Sequence, residues 1–293
     1  MAKLSADRPA VKTVKLGRHL MKLDVPRVMG ILNMTPDSFS GDGIGNNMSL
    51  GVRKGREMFS SGADLVDIGG ESTRPGAEPV TARLEIARIM GVIESLAPDF
   101  PGRVSVDTMK PEVAEIALQS GASIVNDVAG LRNARMIDVI AKHGASTIIM
   151  HMKGRPRTMQ QRPSYRDVVR EVKDYLEQRV EAAENGGIDP RAIMVDPGIG
   201  FGKTVGNNLE IISRLREFKS IGKPIVIGVS RKSFIGKITG LLAEERIEGS
   251  IAAAVLAVKE GANIVRVHDV KETARALKVA HEILSVKPPK KSS

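Results

Sequence analysis

The run NIVRVHD (263–269) sets Arg266 and His268 two residues apart. In an extended strand, positions i and i+2 share a face. A rigid guanidinium fork and an imidazole then point the same way, a pairing suited to phosphate oxygens. Lys232, in GVSRKS (228–233), adds a third cation. A second group has the opposite character. Asp107 in VSVDT (104–108), Asn126 in SIVNDV (123–128) and Asp196 in IMVDPG (193–198) stand at or near the ends of short β-branched runs. Two carboxylates and an amide match the edge of a flat heterocycle that carries both donors and acceptors. A site with two halves is predicted: a polar slot for a ring and a cationic patch for phosphate. Buried polar groups cost stability unless each is paired, so their recurrence at comparable positions favours a common site.

Single residues keep alternative readings. An Asp at a strand end often caps the next helix, which fits Asp127 and Asp269. His151, inside STIIMHM (146–152), reads as a satisfied structural histidine. The stretch GIGFGKT (198–204) looks like a phosphate-binding loop, but GxxxxGK[ST] needs Gly at 197, where the chain has Pro197. It reads instead as a loop lying close to a ligand, with Phe201 as an apolar contact. No Ser–His–Asp or Cys–His arrangement supplies an activated nucleophile. The chain has no cysteine, which excludes disulfides, thiolate metal sites and iron–sulfur ligation.

The elements that must position these groups follow from a repeat. Gly62-Ala63, Gly121-Ala122, Gly144-Ala145 and Gly261-Ala262 each close a helical pattern and open an apolar run. That is how a helix ending at a left-handed glycine enters a buried parallel strand. The eight strand runs are 28–33, 64–70, 104–108, 123–128, 146–152, 193–198, 224–230 and 263–269. Helical patterns occupy about 49–61, 79–97, 111–119, 134–142, 165–186, 207–219, 246–260 and 270–284. Eight β–α units predict an α/β fold with a single (β/α)8 TIM barrel; an open eight-stranded sheet is the alternative. Barrel chemistry sits at the C-terminal strand ends, where these polar residues fall. Residues 1–27 read as an extension and β-hairpin capping the barrel, 28–286 as the barrel, and 287–293 as a basic tail expected to be disordered.

A length of 293 residues suits one such barrel, and 42% hydrophobic residues suit a globular core. The core is aliphatic, since the chain has no Trp, two Tyr and six Phe. Net charge is +10. Residues 1–25 hold six basic and two acidic side chains, and 287–293 hold three lysines, so most of the excess sits at the ends. That distribution argues for solvated termini and against a nucleic-acid partner. The first ten residues contain no apolar stretch of a secretory signal, and no run reaches the ~18 apolar residues of a membrane span. A cytoplasmic protein without membrane attachment is expected, with no fused domain because the barrel uses the whole chain.

The segments GILNMTPDSFS (30–40), DIGGESTRPGA (67–77), VSVDT, IVNDV (124–128), MHMKG (150–154), DPGIGFGK (196–203), GVSRKSFIG (228–236) and RVHD (266–269) together resemble the dihydropteroate synthase family of pterin-binding barrels. They occur in the family's order and span nearly the whole chain. The resemblance implies condensation of 6-hydroxymethyl-7,8-dihydropterin diphosphate with p-aminobenzoate, with Mg²⁺, by a dissociative route, and a site that is the sulfonamide target. It implies that Asp107, Asn126, Asp196 and Lys232 hold the pterin, with Met150 against its face, and that Asn33 binds Mg²⁺. Thr73, Arg266 and His268 would contact the diphosphate. Arg74, Phe201 and Ser233 would surround p-aminobenzoate with the stem of Lys232. Asp37 and Arg74 would lie on two closing loops. Catalytic roles fall to Asp107, Asp196, Lys232, Arg266 and His268. A homodimer through outer helices is implied, with SIAAAVLAV (250–258) either at that interface or packed on the barrel. The first loop departs from the family pattern at Gly41 and Asp42. A corrinoid-directed methyltransferase shares the barrel and the Asp/Asn slot but has no need of ESTRPG, SRKS and the Arg266/His268 pair. A binding paralogue without turnover is opposed by the intact residue set.

Overall fold

The Gly-Ala step is where four of the helices turn into strands. In the computed structural model, which describes residues 11–35, 47–72, 76–154 and 158–286, Gly62, Gly121, Gly144 and Gly261 have φ of +108°, +107°, +59° and +110°. The following alanine N–H donates five residues back, Ala63 to Met58, Ala122 to Ala117, Ala145 to Ile140 and Ala262 to Ala257, at 2.9–3.1 Å. This is the Schellman closure. A fifth copy, at Gly187-Ile188, is hidden in sequence because Ile replaces Ala; Ile188 donates to Ala183 at 3.1 Å.

The strands so delivered are β1 (Thr13–Leu16), β2 (His19–Lys22), β3 (Arg27–Asn33), β4 (Leu65–Gly69), β5 (Val104–Asp107), β6 (Ile124–Asp127), β7 (Ser146–Met150), β8 (Ile193–Asp196), β9 (Val226–Gly228) and β10 (Ile264–Val267). The helices are α1 (Met48–Ser60), α2 (Ala82–Leu96), α3 (Pro111–Gln119), α4 (Ala134–His143), α5 (Val168–Asn185), α6 (Val205–Ser213), α7 (Ser233–Thr239), α8 (Ile247–Lys259) and α9 (Val270–Ser285). Strands β3 to β10 form one parallel sheet in the order β8-β7-β6-β5-β4-β3-β10-β9. A parallel bridge between Val195 and Ile225 joins its two ends into a barrel. The eight-unit architecture is therefore the one observed.

β1 and β2 pair antiparallel about Gly17 and Arg18 and close the N-terminal mouth. Ser146 Oγ, at the start of β7, donates to Lys15 O at 2.6 Å and accepts from Gly17 N–H at 3.0 Å. Val14 and Leu16 pack on Met29, Leu65, Ile124, Ile148, Met194, Val226 and Ile264. The side-chain period of two then governs what stands higher in the barrel. Two residues on, Leu65 gives way to Asp67, Ile124 to Asn126, Met194 to Asp196 and Ile264 to Arg266. The interior thus passes from an apolar floor to a polar rim within one side-chain layer.

Two helical expectations are corrected. The pattern at 207–219 is not one helix: α6 begins earlier, at a capping box of Thr204 and Asn207, and ends at Ser213. A 3-10 stretch, Leu215–Ile221, follows. Its buried Leu215, Phe218 and Ile221 are spaced by three, the period of that helix. α7, directly after SRK, has no counterpart among the predicted helices, because its seven residues are too few to show a period. The basic termini 1–10 and 287–293 lie outside the described residues. No helix among the described residues is long and apolar enough to cross a membrane.

Candidate active site

A cavity of about 490 Å³ opens at the C-terminal strand ends, and Asn33, Asp107, Phe201, Lys232, Ser233, Arg266 and His268 all line it. Asn126, Met150 and Asp196 stand at neighbouring strand ends without lining it. Asn126 is the register partner of Asp107, and Asp196 that of Met150. Met150 packs with Val128, Met152 and Met159, against Phe201. Asp37, Thr73 and Arg74, with the altered first loop, lie outside the described residues.

At the centre is Arg266. Its Nε donates to Asp67 Oδ2 at 2.7 Å and its Nη2 to Asp107 Oδ2 at 2.8 Å. Asn126 Nδ2 donates to the same Asp67 oxygen at 2.8 Å. Asp67, fully buried, was missed by the sequence reading. The signal was available: a charged residue inside DLVDIGG has no reason to be there unless a buried partner meets it. Asp67 Oδ1 and Asp107 Oδ1 are buried with no hydrogen-bond donor among the described residues. Such orphans each cost about 1–3 kcal/mol and suit a ligand that brings N–H groups.

Burial pushes Asp107 up to about 7 against the pull of Arg266. Burial also raises Asp196, whose Oδ1 accepts from Gly198 N–H at 2.7 Å. Lys232 is driven down to about 8 by burial and by Arg266. Its ammonium lies 4.3 Å from the Phe201 ring centroid, within cation–π range. For Arg266 burial acts downward, yet the carboxylates of Asp67 and Asp107 prevail and raise it.

The approach to Lys232 is strained. Arg231 has φ of +54°, a left-handed conformation that a non-glycine residue adopts at some cost. Its N–H donates to Ser250 Oγ at 2.8 Å, and its guanidinium grips Asp269, with Nε 3.0 Å from Oδ2. Asp269 is thus the N-cap residue of α9 by position, but its side chain makes an ion pair instead of a cap bond. Asp127 caps no helix either: the N-cap of α4 is Asn133, and Asp127 accepts from Ala129 and Leu131 N–H in the loop after β6, at 2.7 and 2.9 Å. His268 and Ser230 meet, Nδ1 to Oγ, at 3.0 Å. Glu71, which opens ESTRPG, anchors its loop: Oε1 accepts from Val80 N–H at 2.9 Å and Oε2 from Lys110 Nζ at 2.7 Å.

Lys203 of the glycine-rich stretch does not behave as a phosphate-binding lysine. It is 3% exposed and turns back beneath its own loop. No group of three or more His, Asp or Glu among the described residues is placed to hold a metal. Asn33 offers a single amide oxygen at the cavity wall. That donor set fits a Mg²⁺ ion held mainly by substrate phosphates and water, the usual manner for this cation, rather than a protein cage.

A family profile described as pterin binding enzyme matches residues 29–268. The dihydropteroate synthase of Escherichia coli is 43% identical over 271 residues, covering 92% of this chain and 96% of its own. The Yersinia pestis dihydropteroate synthase, solved with a sulfonamide drug complex, superposes with a TM-score of 0.90 at 38% identity, over 94% of this chain and all (100%) of that one. The Xanthomonas albilineans dihydropteroate synthase in complex with 7,8-dihydropteroate gives a TM-score of 0.83 at 40% identity, over 94% of this chain and 100% of that one.

Proposed function

Since the chain belongs to the dihydropteroate synthase family of pterin-binding transferases, we propose that it joins 6-hydroxymethyl-7,8-dihydropterin diphosphate to p-aminobenzoate, releasing 7,8-dihydropteroate and diphosphate. The observation that carries this reading is the meeting of Lys232, Arg266 and His268 with Asp107 and Asn33 in one cavity. Cations for a departing diphosphate there adjoin carboxylates for a ring that gains positive charge.

Asp107, Asn126, Asp196 and Lys232 bind the pterin edge, and Met150 packs under its face. The orphan oxygen of Asp107 accepts a pterin N–H. Thr73, Arg266 and His268 hold the diphosphate. Arg266 has five N–H donors; two engage Asp67 and Asp107, which leaves three for phosphate oxygens. Arg74, Phe201, Ser233 and the stem of Lys232 enclose p-aminobenzoate, and Asp37 and Arg74 close over it. Asn33 would hold Mg²⁺, which would neutralise charge on the diphosphate. The C–O bond breaks first and its electron pair leaves on the bridging oxygen. Asp107 and Asp196 stabilise the cation left on the pterin methylene. The arylamine nitrogen, neutral at pH 7, then donates its lone pair and loses a proton to solvent. No general base need precede attack. The decisive assay supplies both substrates and Mg²⁺. It should yield dihydropteroate by mass and diphosphate in equal amounts, both lost in Lys232→Ala. Tight pterin diphosphate binding without product would instead make the chain a binding paralogue.

A pH profile follows. The Asp107 carboxylate must be ionised and the Lys232 ammonium protonated. kcat/KM should therefore rise as pH climbs through about 7 and fall above about 8. Asp107→Asn should abolish the acidic limb in the residual rate; a limb that persists assigns it to another group.

A homodimer is also proposed, on the outer face of α8 and α9, which pack side by side. Leu256, Val279 and Ile283 there are 54%, 61% and 67% exposed, while Ala253, Ala254 and Ala257 of α8 are buried on the barrel. The apolar stretch 250–258 thus serves packing on one side and offers Leu256 on the other. Light scattering should give twice the 31.5 kDa chain mass, reduced to the monomer by Leu256→Glu with Ile283→Glu. A monomeric wild type would rule the dimer out.

A further inference from the structure

The segment 198–203 joins β8 to α6 and carries Phe201 into the cavity wall. Four of its carbonyls are gripped by side chains. Lys203 Nζ donates to Gly198 O at 2.8 Å and Phe201 O at 3.1 Å. Gln160 Nε2 donates to Gly200 O at 2.5 Å, and Tyr165 Oη to Gly202 O at 2.8 Å. The third short contact of Lys203 Nζ is His151 Nδ1, at 2.9 Å. An ammonium has three donors, and His151 Nδ1, Gly198 O and Phe201 O are its three nearest acceptors; His151 O lies farther off, at 3.4 Å. His151 is then neutral, with its proton on Nε2. Burial and the neighbouring Lys203 charge both hold its pKa far below the usual range. The loop also lies hard against the exit of β7: a Cβ on Gly198, whose φ is +71°, would stand 2.0 Å from His151 O.

Placing an ammonium here is expensive, and burial pulls Lys203 down to about 7. A methionine would fill the same space without that desolvation. What it would not do is tie two loop carbonyls and the β7 exit to one point. We propose that Lys203 is a positioning residue: its ammonium pins the loop to His151 and so sets Phe201 as the wall of the arylamine half of the site. This rests on the reading that p-aminobenzoate lies against Phe201. The pterin slot leans on the pin less, because Asp196 lies within β8 and reaches the loop through Gly198 N–H.

The test separates the two substrates. In Lys203→Met, KM for p-aminobenzoate should rise roughly tenfold or more, while the Kd of pterin diphosphate, measured alone by calorimetry, stays within about twofold. The chain has no cysteine, so Lys203→Cys introduces a single thiol. Alkylation of the unfolded variant with 2-bromoethylamine, followed by refolding, rebuilds an ammonium of lysine length and should restore most of the lost arylamine affinity. Iodoacetamide, which adds an uncharged group, should not. If Lys203→Met does not fold, Tyr165→Phe decides: it removes one grip and should raise the same KM by about threefold. An unchanged arylamine KM, or equal weakening of both substrates, overturns the proposal. Wild-type protein that makes no dihydropteroate overturns the functional reading itself, and the pin's role with it.

Discussion

Arg266→Gln should cost about 3–5 kcal/mol of stability, the usual loss when one partner of a buried ion pair is removed, together with about a thousandfold in kcat/KM. Arg266 is the charge partner shared by Asp67 and Asp107, which stand at neighbouring strands on the barrel interior. Without it, two buried carboxylates face each other unpaired. The stability loss should depend on pH. Asp107 is already raised to about 7, and losing Arg266 raises it further. The folded variant then holds a proton that the unfolded chain releases near 4. Its stability therefore falls as pH rises from about 4 through 7 and beyond, and the gap to wild type widens. Urea unfolding at pH 5 and pH 8 measures this. A loss below about 1 kcal/mol would mean that the Arg266 pairs contribute little to the fold, and a larger one equal at both pH values that ionisation of Asp107 does not carry it.

Asp107→Asn should lower kcat by about 10²–10³ while pterin diphosphate still binds within a few-fold of wild type. The amide keeps an oxygen for Arg266 but, on the dissociative route proposed above, carries no charge to oppose the cation left when diphosphate departs. If the variant loses only affinity and turns over normally, Asp107 orients the ring and does not stabilise charge. Stability should move the other way from activity. The raised pKa means that the wild-type fold is penalised as pH climbs from about 4 through about 7. Asparagine escapes that penalty, so the inactive variant should be no less stable than wild type at pH 8. Calorimetric melting beside the kinetics separates an inactive fold from a broken one.

Much of this architecture is legible in the chain because its rules are local. Gly62-Ala63 and its repeats announce helix closure, since a left-handed glycine is what that turn requires. Arg266 and His268 both line the cavity, as a period of two demands. Asp107, Asn126 and Asp196 could be assigned to one rim because every strand of a parallel barrel ends on the same side. What is not local was not legible. Nothing near position 266 specifies that Arg266 will pair with Asp67, 199 residues away. The pairing exists because β10 and β4 both flank β3. Lys203 sits in a stretch that looks made for phosphate, yet it turns inward because His151 and two carbonyls lie beneath it. The seven residues of α7 show too little periodicity to read, and the left-handed Arg231 before them depends on Asp269 and Ser250 from other elements. The barrel, and the rim on which Asp107, Asn126, Asp196 and Arg266 stand, are written in the chain. The tertiary structure alone decided which charges meet. Side-chain direction is set by neighbours along the chain, whereas a buried charge is satisfied only by whatever the closed ring brings within hydrogen-bond distance.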